Sequence, residues 1–458
     1  MATGLSKTKW NGKNLHPISE NIFDIHLTYP GKRSEEDILA TQPTSTSLLW
    51  RGNEGNKKTI TNRLYYGDNL PILASLLEDS SICGKVRLIY IDPPFATNSV
   101  FQSRSQDDAY ADTLVGASYI EFLRERLVLL RELLAHDGSI YVHLDQKMAF
   151  HIKIIMDEIF GRNNFQSWIT RKKCNPKNYT RKSYGNISDY ILFYTKSSSY
   201  VWNRPHEQWS IERAEKEYPY VEQETGRRYK KVPIHAPGTR NGETGKPWRG
   251  KLPPPGKHWQ FPPQTLDEMD ARGEIYWSPN GNPRRKIYLD ESEGVAVQDI
   301  WVDFRDAHNQ NIEITGYPTE KNPGLLARII AASSNPGDFV LDCFSGSGTT
   351  LAVASQLNRQ WIGIDNSVEA ITTTLRRFAK GTEPMGDFVS KPSFLAENGT
   401  TRGPAELSLW EQLEQEQTEQ NNAIMQKERK VIRDFSLYAV DAVREDLCDV
   451  LKQWLEWI

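Results

Sequence analysis

The run Asp92-Pro93-Pro94-Phe95 joins a carboxylate to an aromatic ring across two residues that fix their own backbone and carry no N–H. The prolines make the ring a rigid stacking platform. The carboxylate three residues before it can accept hydrogen bonds from an amino group lying in the ring plane. Together they suit a planar aromatic amine. Alone, Asp-Pro-Pro is only a strand stopped by a turn, so its meaning depends on its surroundings. The second run is Asp342-Cys343-Phe344-Ser345-Gly346-Ser347-Gly348-Thr349-Thr350, where a strand feeds a glycine-rich turn that opens a helix. Glycines there let backbone approach a ligand closely. Asp365, followed by Asn366, comes 23 residues after Asp342, near the roughly 20-residue spacing at which an acid accepts hydrogen bonds from ribose hydroxyls. Strand, turn, helix, strand and acid in this order predict a site for a nucleoside-bearing cofactor.

Both runs need strands that end side by side. Lys85 to Ile91 is a short apolar, β-branched run stopped by the prolines, which predicts a buried strand with the Asp92 loop at its carboxyl end. Ile120, Leu123, Leu127, Leu130 and Leu134 recur at three- and four-residue spacing and predict an amphipathic helix ending at Asp137-Gly138. Ser139 to Leu144 reads as the next strand, and Met148 to Phe160 as the next helix. The alternation fails from about Trp202 to Asp299, where Pro, Gly, Trp and basic residues dominate. It resumes with a helix over Leu325 to Ser333, a strand over Phe339 to Asp342, a helix over Thr349 to Leu357, a strand over Trp361 to Asp365 and a helix near Val368 to Phe378. The pattern predicts an α/β fold in which one doubly wound, mostly parallel Rossmann-like sheet is built from two separated halves. We expect an irregular arm over residues 1–60, the two halves over 61–200 and 311–385, and an insert over 201–310. Beyond 386, Val431, Phe435, Leu437, Tyr438, Val440, Val443, Leu447, Leu451 and Leu455 lie at near-helical spacing and predict a helical appendage. It could pack on the α/β domain, form a dimer or dock a partner, with packing within the chain as the default.

Composition narrows the partners. Lysine plus arginine number 56 against 59 acids, but the balance is uneven along the chain. Between Trp168 and Arg204, Arg171, Lys172, Lys173, Lys177, Arg181, Lys182, Lys196 and Arg204 face Asp189 alone. From Gly226 to His258, nine basic residues, Arg249 among them, face only Glu243. Such segments predict contacts to nucleic-acid phosphates, chiefly through Arg171, Lys172, Lys173, Lys177, Arg181, Lys182 and Arg249. Trp202, Trp209, Trp248, Trp259 and Trp277 could stack on bases, although packing the insert explains most of them. The four cysteines form no C-x-x-C pair, so neither a metal site nor a disulfide framework is suggested. No apolar run approaches the roughly 18 residues of a membrane span, and the amino terminus lacks a secretory core, so a cytoplasmic location is expected.

These motifs resemble those of the amino-methylating DNA methyltransferases, whose catalytic loop is (D/N/S)-P-P-(Y/F/W) and whose cofactor loop is F-x-G-x-G. The order here, catalytic loop before a basic insert and cofactor loop after it, is similar to the permuted β class, which includes modification subunits of type III restriction systems. The resemblance covers roughly residues 60 to 380. It implies S-adenosyl-L-methionine as cofactor, double-stranded DNA as substrate, and no metal. It implies cofactor contacts by Phe344, Gly346, Gly348 and Thr349, with Asp342, Asp365 and Asn366 beside them. It places Asp68, in Gly67-Asp68-Asn69, by the cofactor adenine. Thr319 and Lys321, in Tyr317-Pro318-Thr319-Glu320-Lys321, fall near the methionine end. Most members have Asp-Pro-Phe where this chain has Asp342-Cys343-Phe344.

In that family Asp at the first position of the catalytic loop goes with adenine N6 and Ser with cytosine N4, so Asp92 implies adenine, with cytosine N4 as the alternative. A catalytically silent specificity subunit would be expected to lose Asp92 or the glycines, and both are present. A homodimer or a cognate restriction endonuclease is the partner such an enzyme would have.

Overall fold

The computed structural model describes residues 25–52, 61–94, 100–102, 108–111, 116–175, 182–306, 313–315, 317, 320–384 and 431–457. It divides into two compact units, residues 1–203 with 298–458, and residues 204–297.

The first unit is built on a ten-stranded sheet. In chain order its strands are β1 (Thr46–Arg51), β2 (Asn62–Tyr66), β3 (Val86–Ile91), β4 (Leu134–Leu144), β5 (Phe165–Lys172), β6 (Ser188–Thr195), β7 (Ile300–Trp301), β8 (Phe339–Asp342), β9 (Gln360–Asp365) and β10 (Phe435–Val440). Across the sheet they run β1-β10-β2-β9-β8-β3-β4-β6-β5-β7. From β10 to β4 every pairing is parallel. β6 is antiparallel to both β4 and β5, and β1 closes the other edge antiparallel to β10. Parallel strands are covered on both faces, which is why β3 reads Val-Arg-Leu-Ile-Tyr-Ile with little alternation and is buried almost throughout.

Helices α1 (Glu35–Leu39), α2 (Asn69–Glu78), α3 (Ala117–Leu133), α4 (Ala149–Phe160), α5 (Pro323–Ser333), α6 (Thr349–Gln356), α7 (Val368–Lys380) and α8 (Cys448–Trp457) complete the unit. The predicted leucine stripe of α3 is buried at Leu123, Leu127 and Leu130. Adjacent strands β3 and β8 continue in opposite directions across the sheet, β3 through α3 to β4 and β8 through α6 to β9. In doubly wound sheets such a divergence opens a crevice at the carboxyl ends of the strands. Those ends carry Asp92 after β3, Asp342 on β8, Asp365 on β9, and Gly67-Asp68 after β2.

Three local expectations are corrected. Leu134 does not continue α3: it pairs with Val86 and opens β4, and a register irregularity carries the chain to Ser139 opposite Leu88. Its apolar side chain satisfies the helical spacing and the buried strand equally. Residues 25–52 are not an irregular arm, because β1 is a sheet strand and Ile38 of α1, capped by Ser34, is fully buried. The tail is not wholly helical either. Phe435–Val440 is a strand lying between β1 and β2, with Phe435, Leu437 and Ala439 at zero exposure. A strand buried on both faces loses its two-residue alternation, so its apolar residues merged with those of the helix that follows. That helix, α8, packs Trp454 against Trp50 and Phe435.

The second unit has a four-stranded antiparallel sheet, Tyr220–Val221, Arg228–Pro233, Pro283–Tyr288 and Ile275–Trp277, in that order across the sheet. Ile234, Trp248, Trp259, Leu266, Met269 and Ile275 form its core, and Trp277 stacks on Trp248. No helix among the described residues is long and apolar enough to cross a membrane.

Candidate active site

Strand β3 delivers Asp92 to the crevice, and the two prolines after it end the ladder. One carboxylate oxygen of Asp92, Oδ2, lies 2.5 Å from Nζ of Lys321. The other, Oδ1, is buried without a hydrogen-bond partner among the described residues. Tyr90, Asp92, Pro93, Pro94, Tyr317, Glu320, Lys321 and Leu326 line a cleft together with Asp342, Phe344 to Ser347, Thr349, Thr350, Asp365 and Asn366. Phe95 lies outside the described residues, as does Thr319.

The glycine turn is shaped for close approach. Gly348, at φ +71°, precedes the first residue of α6, and a Cβ there would come within 2.7 Å of the Thr374 side chain. Gly346 is also left-handed, at φ +50°. Oδ2 of Asp365 accepts the Gly346 N–H at 2.8 Å, and Oδ1 accepts that of Ser367 at 3.0 Å. Asp342 accepts the Phe344 N–H at 3.0 Å and the Thr350 hydroxyl at 2.6 Å. Burial pushes the Asp342 carboxyl up to about 7, with Asp92 and Asp365 adding repulsion against the two hydrogen bonds that oppose the shift. Burial also pushes Asp365 up to about 6.

Behind the turn, Nε of Arg377 in α7 donates to the Ser347 carbonyl at 2.8 Å, and Nη2 donates to the Thr349 hydroxyl at 3.1 Å. The same guanidinium is ion-paired with Glu320, which in turn accepts from the Thr315 N–H and hydroxyl at 2.9 and 2.7 Å. Asp68 lies beside an adjoining recess that shares Pro94, Phe344, Asp365 and Asn366 with the main cleft. It caps α2 through the Leu70 N–H and accepts from Nη2 of Arg126 at 2.9 Å. The Asn69 amide donates to the Cys343 carbonyl at 2.7 Å, and Arg126 lies 3.6 Å over the Phe122 ring. Sequence reasoning named Asn69 and Glu320 only as members of their motifs, and it missed Phe122, Arg126 and Arg377. Asn69, Arg126, Glu320 and Arg377 work through partners 28 or more residues away, and Arg126 and Arg377 lie on buried helix faces where only apolar residues signal a role.

The basic residues divide. Arg171 is corrected outright: it is 1% exposed, gripping Asp189 through Nε and Nη2 at 2.8 and 2.5 Å, with Asp306 at 2.7 Å. Burial would raise the Asp189 carboxyl, but His143 and Arg171 together hold it well below the usual range. Nδ1 of His143 lies 2.8 Å from the Tyr90 hydroxyl, so this buried group braces the strand that carries Asp92. A guanidinium so enclosed cannot reach a phosphate. Lys172 and Lys173 are half-buried, and Lys182 is exposed, while Lys177 and Arg181 lie outside the described residues. Arg249, in the second unit, is exposed but paired with Asp267 and Asp270.

A glycine cradle that admits no Cβ at Gly348, an acid at the end of β9, and three carboxylates facing the same space fit a nucleoside that carries a sulfonium charge. Fold and cleft thus define the class of S-adenosyl-L-methionine-dependent methyltransferases. The profile of the DNA methylase family, covering the N6 and N4 enzymes, matches residues 86–376, and the chain belongs to that family. It is similar to the type II methyltransferase M.EcaI of Enterobacter cloacae, at 47% identity over 85% of this chain and 87% of the relative. It also resembles the StyLTI Mod subunit of a type III restriction-modification enzyme from Salmonella typhimurium, at 26% identity over 66% of this chain and 51% of the relative, so it spans about half that subunit. A third relative, the DNA adenine methyltransferase YhdJ of Escherichia coli, is 27% identical over 71% of this chain and 83% of its own length.

Proposed function

We propose that this DNA methyltransferase transfers its methyl group to N6 of an adenine flipped out of double-stranded DNA, as the modification enzyme of a restriction-modification system. The observation that carries the reading is the Asp92 carboxylate, which lines the cofactor cleft with Oδ1 buried and without a hydrogen-bond partner among the described residues. A buried acceptor without a donor is costly, and a substrate amino group relieves that cost. The relatives M.EcaI, a type II methyltransferase, and YhdJ, a DNA adenine methyltransferase, support the setting and the base.

Adenine N6 is a weak nucleophile, because its lone pair is delocalised into the ring, and inside the duplex it is out of reach. Extruding the base costs a few kcal/mol, which stacking on Phe95 and hydrogen bonds to the base edge can offset. Asp92 Oδ1 accepts one N6 hydrogen and the Pro93 carbonyl the other, favouring a pyramidal nitrogen with its lone pair turned into the cleft. S-adenosyl-L-methionine supplies the electrophilic methyl group. Gly346, Gly348 and Thr349 would let backbone approach its nucleoside closely, and Asp365 would accept from the ribose. Asp92 serves as acceptor and orienter rather than general base: the nitrogen becomes acidic only after it is methylated, and its surplus proton then leaves to water. Exposed cations such as Lys182 hold phosphates.

Expression in a methylation-deficient host, followed by modification-sensitive sequencing of the genome, reads base and target site together. N6-methyladenine at one sequence, lost in Asp92→Ala while cofactor binding survives, is the expected result. An unchanged methylome, or N4-methylcytosine, overturns the reading.

A further inference from the structure

The two residues that follow Asp92 cannot orient it through their backbone. A carboxylate at the start of a turn is ordinarily held by backbone N–H groups one or two residues ahead, and here both positions are proline. Among the described residues the donor that holds it is Lys321, 8% exposed, with Nζ on Oδ2. The lysine is itself fixed on both sides. Glu320, 4% exposed, is ion-paired with Arg377, which holds the Ser347 carbonyl and the Thr349 hydroxyl of the glycine turn. Asn322 caps α5 by accepting the Gly324 N–H at 2.9 Å. Two neighbouring buried side chains of opposite charge therefore serve different loops, Glu320 reaching the cofactor turn through Arg377 and Lys321 ending on the catalytic carboxylate.

We propose that Glu320 and Lys321 form a two-charge clip in which Lys321 is a positioning residue for methyl transfer: it holds Asp92 by Oδ2 and leaves Oδ1 presented to the amino group. The inference rests on the adenine-N6 reading for its rate effect, but not for the contact itself. Buried ion pairs seldom add net stability over apolar replacements, so a site-shaping role accounts for these charges better than stability does. The clip also ties the distance between cradle and carboxylate to a single stretch of backbone. A methyl group carried in the cradle and a nitrogen held on Asp92 thus share one frame.

The test uses the full chain, a duplex containing its target site, and S-adenosyl-L-methionine as the titrated ligand. Lys321→Met should slow the single-turnover rate about 100-fold, change the cofactor Kd by less than about threefold, and leave flipping of a 2-aminopurine target intact. Lys321→Arg should recover to within about tenfold of the wild-type rate. In an Asp92→Asn background, where no carboxylate remains to be held, Lys321→Met should change the rate by less than about threefold. Cofactor affinity falling in step with rate would make the lysine a cofactor ligand and overturn the proposal. A full 100-fold loss persisting in the Asp92→Asn background would do the same. Thermal unfolding reads the contact without turnover. The two single substitutions should each lower Tm, and the double variant should lower it by less than their sum. If the wild-type chain methylates no adenine but this coupling is present, the functional reading fails and the clip stands. Additive losses in Tm sink the clip alone.

Discussion

Cofactor binding should depend steeply on pH, because burial raises two of the carboxyl groups lining the cleft to about 6 and about 7. Burial pushes Asp365 up to about 6, although the N–H groups of Gly346, Ser367 and Asn366 pull the other way. Asp342 is pushed up to about 7. As a ribose acceptor Asp365 serves only when ionised, so below about pH 6 the ligand-free protein must lose a proton to bind, and affinity falls as pH falls. For a single group at about 6 the ionised fraction is about 0.99 at pH 8 and about 0.09 at pH 5, an affinity loss of about elevenfold. A cationic ligand favours the ionised form of Asp342 too. If both carboxyls must ionise, the loss grows to about a thousandfold over the same range. Titration calorimetry with S-adenosyl-L-methionine in buffers of different ionisation enthalpy gives both Kd and protons released. The reasoning predicts release of between about one and two protons near pH 5, and little at pH 8. Asp365→Asn should bind weakly with a flatter profile. A Kd constant within about twofold across this range, with no proton release, would refute it.

Other consequences follow from the same contacts. Asp342→Asn removes a carboxyl whose folded value exceeds its ordinary one, so ionising it costs stability that is absent below about pH 4 and full above about pH 7. Thermal melts should show the variant gaining at pH 8 and not at pH 5, by at most about 4 kcal/mol less about 1 kcal/mol for each weakened hydrogen bond. Arg171→Met removes the guanidinium that grips Asp189, leaves the buried carboxylate to His143, and should cost about 3–5 kcal/mol in denaturant unfolding. It should leave the salt dependence of DNA binding unchanged in the folded fraction, whereas loss of a phosphate contact at Lys182 lowers the logarithmic slope by about one. Gly348→Ala sets a Cβ against Thr374 and should weaken cofactor binding by about tenfold or more. Gly337→Ala, also left-handed but meeting no atom within 4 Å, should cost only the backbone strain of about 1–2 kcal/mol and spare binding. Truncation after residue 430 removes β10 from between β1 and β2 and should yield insoluble protein; a soluble chain with native cofactor affinity would contradict the topology.

Much of the fold was legible because its signals are local. The apolar run before Asp92, the leucine stripe of α3 and the glycine turn before α6 each announce an element within a dozen residues. Phe435–Val440 was not, since its strand character exists only where β1 and β2 cover both of its edges, and nothing nearby in the chain records that. Arg171 misled for a related reason. Composition counts its charge among the cations of a basic stretch, but Asp306, which helps bury it, lies 135 residues on. Lys321 was legible as a member of the cleft and not as the partner of Asp92, because an ion pair between residues so far apart leaves no periodicity.

The site therefore forms at a seam between two halves of one sheet. β3 and β8 are hydrogen-bonded neighbours although some 250 residues separate Asp92 from Asp342. Backbone pairing sets the register of that seam, with Leu341 opposite Ile89, but it does not aim side chains across it. Aiming falls to a few polar contacts between the halves, among them Asn69 on the Cys343 carbonyl, Tyr141 on Ser333 and Lys321 on Asp92. The apolar core, continuous from Ile89 and Ile91 to Leu341 and Ile364, carries most of the stability. Each polar contact contributes only about 1 kcal/mol. Substitutions at the seam should consequently separate the two properties: they move the reacting groups by fractions of an ångström, which methyl transfer registers strongly, while the sheet beneath remains folded.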